Sequence, residues 1–187
     1  MLSPKSVIPE CNIDSCLFNT LLGFEKEGVN HTKGNATVAK KMEGRFVNLF
    51  CIGVIDKDKR DLKYLTDNFE RLVNADVEEY FRLHKHKSRH HYIIQLVPVI
   101  ETWICNIAEQ LDINIRDFGI NAQSPKELLH ITKSVSSKND VRFVGLFKEF
   151  QNKATEINFV PLLKLKTVTK LILEKNYNLD INELTNG

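Results

Sequence analysis

The chain has 187 residues, 42% hydrophobic and 27% charged. That is enough to bury one substantial core, so a disordered or low-complexity chain is excluded and one domain is the default. Lys and Arg total 26 against 24 Asp and Glu, a formal charge of +2, which gives little reason to infer a strongly basic nucleic-acid surface; any phosphate-binding surface must be local.

Ser6-Val7-Ile8 reads as a short strand, followed by Pro9-Glu10 and by Asn12 or Asp14 as a helix N-cap. Ile13, Cys16, Leu17 and Leu21 recur at three- and four-residue spacing, the stripe of an amphipathic helix that Gly23 would end. Val29 to Thr32 suits a second short strand, and Ala36, Val38, Ala39 and Met42 a second short helix ending near Gly44. From Asn48 to Ile55 the chain is almost unbroken apolar sequence, as a strand covered on both faces requires, and it stops at Asp56-Lys57-Asp58-Lys59-Arg60.

Leu62, Leu65, Phe69, Leu72 and Val73 then recur with helical spacing, predicting a third helix. Tyr80 to Leu83 reads as a fourth strand, and Tyr92 to Leu96 as a fifth or its continuation. Pro98 opens a helix whose apolar positions run from Val99 through Trp103 to Leu111, with Glu101 in its first turn. Ser124-Pro125 opens another, and Val144 to Phe150 and Val160 to Leu173 look helical. Strands alternating with helices predict an α/β fold, a mostly parallel sheet flanked by helices, with a helical C-terminal part. Residues 1–115 would form the α/β domain and 116–187 a helical extension packed on it.

Cys11, Cys16, Cys51 and Cys105 form no C-x-x-C pair, and three lie in apolar segments, predicting reduced thiols in a cytoplasmic protein. No segment is long and apolar enough for a signal-peptide core or a bilayer span, so no membrane contact is expected.

In an open parallel sheet the functional crevice lies beyond the carboxyl ends of the strands. Glu10 and Asp56/Asp58 both fall there, and alternation along an extended chain points Asp56 and Asp58 to one side. A few carboxylates with retained waters suit Mg²⁺, with Mn²⁺ as an alternative, and such a site supports phosphodiester chemistry. Acidic residues after strands also serve as solvated loop residues or N-caps, the reading given to Asp14. Lys33, at the His31-Thr32-Lys33-Gly34-Asn35 junction on the same edge, is a candidate phosphate contact. So are Lys85, Lys87 and Arg89 of the histidine-rich segment His84 to His91, provided it lies near the acidic edge; otherwise it is a solvated loop.

Glu10-Cys11-Asn12-Ile13-Asp14 and Gly53-Val54-Ile55-Asp56-Lys57-Asp58 resemble the two acidic motifs of the TOPRIM fold, the metal-binding domain of topoisomerases, primases and OLD-type nucleases. That family has a Rossmann-like sheet, a glutamate after its first strand, commonly in E-G-x-x-D, and a D-x-D after its third. Ile100-Glu101-Thr102-Trp103-Ile104 is similar to the helix start that carries a further glutamate in its nuclease-like and defence-associated branches. The resemblance covers roughly residues 5 to 110. It implies a Mg²⁺-dependent nuclease or nuclease-like subunit acting on DNA or RNA, with Glu10, Asp56 and Asp58 at the metal and Glu101 supporting. Cys11 stands where the family has glycine. The chain carries no Walker motif, so an ATPase, if one is needed, would act in trans. The alternatives are a non-catalytic interaction module of an ATPase-containing system, or a small-nucleotide phosphohydrolase.

Overall fold

The computed structural model describes residues 3–24, 28–57, 62–72, 77–135, 138–181 and 184. Five strands form one open sheet, β1 (Val7–Pro9), β2 (Cys51–Asp56), β3 (Phe69–Leu72), β4 (Phe81–His86) and β5 (His91–Leu96), in the order β1-β2-β5-β4-β3. Seven α-helices accompany them among the described residues: α1 (Asn12–Leu22), α2 (Asn35–Glu43), α3 (Lys63–Asn68), α4 (Ile100–Gln110), α5 (Pro125–Ser134), α6 (Val141–Glu156) and α7 (Val160–Lys175).

The fold is α/β, but the sheet is mixed. β1, β2 and β5 run parallel, with Val7 opposite Ile52 and Cys51 opposite His91, whereas β4 is antiparallel to both β5 and β3. The expectation of a mostly parallel sheet fails because only residues 87–90 separate β4 from β5. A parallel return needs a crossover of a dozen residues or more, so so short a link forces a hairpin. The helix expected over Leu62 to Val73 fails in a related way. It stops at Asn68, and Phe69 to Leu72 pair with β4; Val73 lies outside the described residues.

Alternation in the central strands divides the interior into two cores. Ile52 and Val54 of β2, with Tyr92, Ile94 and Leu96 of β5, face α1, α4, α6 and α7 in the larger one. Cys51, Ile55 and Ile93 face Val38, Ala39 and Met42 of α2 and Tyr64 and Leu65 of α3 in the smaller one. Gly53 sits under α2, where an added Cβ would meet Met42 Sδ at 2.8 Å and Val38 Cγ1 at 3.0 Å. The helix lies this close to the strand because residue 53 has no side chain.

The sequence stripe understates how deep α1 lies. Every residue from Ile13 to Leu22 is buried, because the sheet covers one side and α6 and α7 pack on the other. A helix enclosed on all sides places even its polar positions in the interior. Gly23 ends it in the left-handed conformation, φ 73°, as the sequence predicts. Val29 to Thr32 forms no regular strand. It runs extended along the outer edge of β1, with Asn30 N donating to Val7 O at 2.8 Å and Thr32 N to Pro9 O at 3.0 Å, so both edges of β1 are hydrogen-bonded.

Candidate metal centre

Three parallel strands end together on one edge. Glu10 follows β1 directly, with its N–H donating to Val54 O at 3.1 Å and its carbonyl accepting from Gly34 N at 2.8 Å. Asp56 is the last residue of β2 and shares the face of Ile52 and Val54, which looks onto α1. The peptide N–H of Ile100, at the start of α4, donates to Asp56 Oδ2 at 3.1 Å, an anion on a helix N-terminus where the dipole favours it. The strand-end positions expected of Glu10 and Asp56 are therefore present. Asp58 lies outside the described residues.

The residue that completes the group is Asp14. Carboxylate oxygens of Glu10, Asp14 and Asp56 all lie within 4.8 Å of one another. Asp14 is fully buried, and neither oxygen accepts a hydrogen bond among the described residues. Burial first, then the charges of Asp56 and Glu10 and more weakly of Glu101, push its carboxyl well above the usual range, with the neighbouring Cys11 thiol acting against them. An isolated buried carboxylate is costly, and three converging ones more so, unless a cation binds them.

The N-cap reading of Asp14 is thus wrong. Cys11 holds that position, its Sγ accepting from Asp14 N at 3.3 Å, which leaves the Asp14 side chain directed inward. Cys11 has an ordinary extended backbone, φ −143°, so nothing at this position requires the glycine of the resembled motif. Burial, with the Asp14 charge behind it, pushes the Cys11 thiol up. It stays protonated and is a poor metal ligand.

A cleft of about 460 Å³ opens beside Glu10, the one carboxylate of the three that lines it. One wall carries Glu10 to Ile13, His31 and Lys33, and the other Glu101 and Thr132 to Val135. Glu101 is buried and accepts from Thr132 Oγ1 at 2.6 Å. It lines the cleft without joining the 4.8 Å group, so it borders the centre and is held by α5. Asn12 Nδ2 donates to Val135 O at 2.9 Å, fastening the start of α1 to the end of α5. Ser15 Oγ donates to Cys11 O at 2.7 Å and lies 3.1 Å from His31 Nδ1. With the hydroxyl proton committed, a ring proton on Nδ1 would donate to Ser15 Oγ and leave Nε2 as acceptor. Burial pushes the His31 imidazole below its ordinary value, opposed by a hydrogen bond to the Cys11 carbonyl and helped by the charges of Lys41 and Lys138.

The histidine-rich segment is elsewhere. His84 to His86 end β4 and His91 begins β5, at the end of the sheet opposite Asp56, whose partner on β5 is Leu96. Five residue steps of β5 separate them, about 17 Å at ~3.3 Å per residue. Lys85 Nζ donates to the carbonyls of His86 and Arg89, and Lys87 Nζ to Asp67 O at 3.0 Å. His86 Nδ1 accepts from Ser88 N and Arg89 N, while His91 bonds Tyr64 Oη at 3.0 Å and Phe46 O at 2.8 Å. The segment is a self-bonded hairpin. Lys85, Lys87 and Arg89 are not brought to the carboxylates; Lys33 is, together with Lys133, which the sequence did not suggest.

The four cysteines are unpaired, and among the described residues no helix is long and apolar enough to cross a membrane. Compared with known proteins, the chain matches no family model, no curated protein and no solved structure.

Proposed function

We propose that this chain is a metal-dependent phosphodiester hydrolase of TOPRIM-like design that acts on nucleic acid, with Glu10, Asp14 and Asp56 holding Mg²⁺ or Mn²⁺. The observation that carries the reading is the buried Asp14 carboxylate, facing two further carboxylates and, among the described residues, having no nitrogen or oxygen donor for either oxygen, with the weakly donating Cys11 thiol beside it. The donor set is all oxygen and three-fold anionic, which suits a hard divalent cation. Such an ion, when bound, offsets charge on a phosphate and lowers the pKa of water near it.

The chain's own groups complete the chemistry. His31, with Nε2 as acceptor when Nδ1 donates to Ser15, is the group on the cleft wall able to take a proton from an attacking water. Lys33 and Lys133 can hold phosphate oxygens from the two sides. Glu101, fixed by Thr132, adds negative charge beside the ligands and strengthens the attraction for a cation.

Calorimetric titration with Mg²⁺ and Mn²⁺ on the whole chain, with Asp14→Asn and Asp56→Asn beside it, tests the centre. Saturable binding lost in both variants is expected, followed by metal-dependent cleavage of labelled single- or double-stranded DNA or RNA. Absence of cation binding sinks the reading. Binding without cleavage of any substrate leaves the non-catalytic interaction module.

A further inference from the structure

We infer that the cleft admits a single nucleic-acid strand, contacting about two of its phosphates, and excludes base-paired duplex; this rests on the metal-dependent reading above and deepens it by naming the substrate form. The first ground is depth. Glu10 and Glu101 line the cleft, whereas Asp14, 0% exposed, and Asp56, 9% exposed, lie behind that lining, so a reacting phosphate has to enter the cleft to approach them. A duplex carries its phosphates on the outside of a wide rod, whereas a single strand can thread its backbone between two walls.

The second ground is that the walls are tied. Asn12 to Val135 and Thr132 to Glu101 bridge α1, α4 and α5 at 2.9 and 2.6 Å, so widening the cleft breaks one partly buried and one buried hydrogen bond. Its volume, about 460 Å³, lies in the range of small-molecule sites, roughly 300–1,000 Å³, and not of a duplex groove.

The third ground is the supply of cations. Lys33 and Lys133 stand exposed on opposite walls and make no ion pair or hydrogen bond among the described residues. The lysines of the β4–β5 hairpin are at the other end of the sheet and bonded to carbonyls. A protein making about 6–10 phosphate contacts shows a steep salt dependence; among the described residues, the lining of this cleft offers two cations. Among the described residues its lining includes no Phe, Tyr or Trp, so the contact falls on the backbone, indifferent to sequence.

The test is fluorescence anisotropy on the whole chain with labelled six-nucleotide single strands of T or A, the same length of RNA, a blunt 20-base-pair duplex and a nucleoside monophosphate competitor. Ca²⁺ replaces Mg²⁺ to slow cleavage, and salt runs from 50 to 200 mM. Single strands are expected to bind at least ten-fold tighter than duplex, equally for T and A, and more tightly than the monophosphate. The slope of log K on log salt should be about −1.4, two contacts at roughly 0.7 each. The double variant Lys33→Ala/Lys133→Ala should weaken strand binding at least ten-fold and flatten the slope, while Lys87→Ala changes neither. Both lysines are surface residues, and circular dichroism confirms the fold of the variants. Duplex binding as tight as strand binding, a slope steeper than about −4, or a double variant with undiminished binding overturns the inference. Mn²⁺ titration without nucleic acid reads the metal centre separately. Its failure, with lysine-dependent strand binding intact, would fall on the metal reading alone.

Discussion

Asp14→Asn should make the metal-free protein more stable, although it alters a fully buried polar residue. Two carboxylate charges no more than 4.8 Å apart repel by at least about 3.5 kcal/mol at an effective dielectric constant of ~20, and Asp14 faces two such partners. The folded chain can avoid that repulsion by keeping Asp14 protonated. At pH 7 this costs about 4 kcal/mol for a carboxyl whose ordinary pKa is ~3.9, and that figure caps the penalty. Asparagine keeps the shape, removes the charge and gives Glu10 and Asp56 a donor. The expected gain in EDTA is therefore up to about 4 kcal/mol, an upward move of the urea midpoint by about 1–2 M for an m-value of roughly 2–3 kcal/mol/M. Adding Mn²⁺ should narrow the gap by ~2.7 kcal/mol at a hundred-fold excess over Kd and close it at about a thousand-fold excess, where wild type gains ~4.1 kcal/mol and the variant none. Paired urea titrations with EDTA and with Mn²⁺ decide it. A variant less stable than wild type in EDTA, or one that gains as much from Mn²⁺, would refute the argument.

Three further outcomes follow from other parts of the molecule. Burial first, then the charges of His91, Arg89, Lys85 and Lys87, push His86 down to about 4. An unfolded histidine takes its proton near 6.5, so between pH 6.5 and 4 the unfolded chain binds more protons and stability falls on acidification, by at most about 3 kcal/mol. Urea midpoints at pH 7.5, 5.5 and 4.5 should show that slope reduced in His86→Phe, and equal slopes would contradict it. Gly53→Ala should cost about 1–3 kcal/mol, because the new methyl overpacks Met42 and Val38; an unchanged urea midpoint would mean that α2 lifts freely. Thr132→Val keeps the side-chain shape but strips buried Glu101 of the donor at 2.6 Å. It should cost about 1–3 kcal/mol, and an unchanged midpoint would show that Glu101 finds another partner.

The sequence was informative where one periodicity acts over a long stretch. The apolar run into Asp56 becomes the central strand, the stripe from Val99 to Leu111 becomes α4, and Ser124-Pro125 opens α5 with the serine accepting from Glu127 N at 3.3 Å. It misled where a local rule had two meanings. An acid in the first turn of a helix is ordinarily a surface group answering the dipole, and only the sheet edge that brings Glu10 and Asp56 to α1 shows Asp14 to be buried among them. The apolar spacing at Phe69 and Leu72 continues the helical phase of Leu62 and Leu65, yet those two residues pair in a strand. Proximity in sequence said nothing about which end of the sheet His84 to His91 would occupy. Strand direction decides that, and the length of residues 87–90 was its one sequence signal.

All three candidate ligands lie within the first 56 residues, whereas the opposite wall is supplied by Glu101 and by Thr132 to Val135. During synthesis at roughly 5–20 residues per second, the nearly 80 residues between Asp56 and Val135 take about 4–16 s. The carboxylates thus leave the ribosome well before the helix that closes over them. A cation that binds them could do so on the nascent chain, before any narrow approach exists, because the order of translation separates the exposure of the carboxylates from the moment at which the cleft gains its second side.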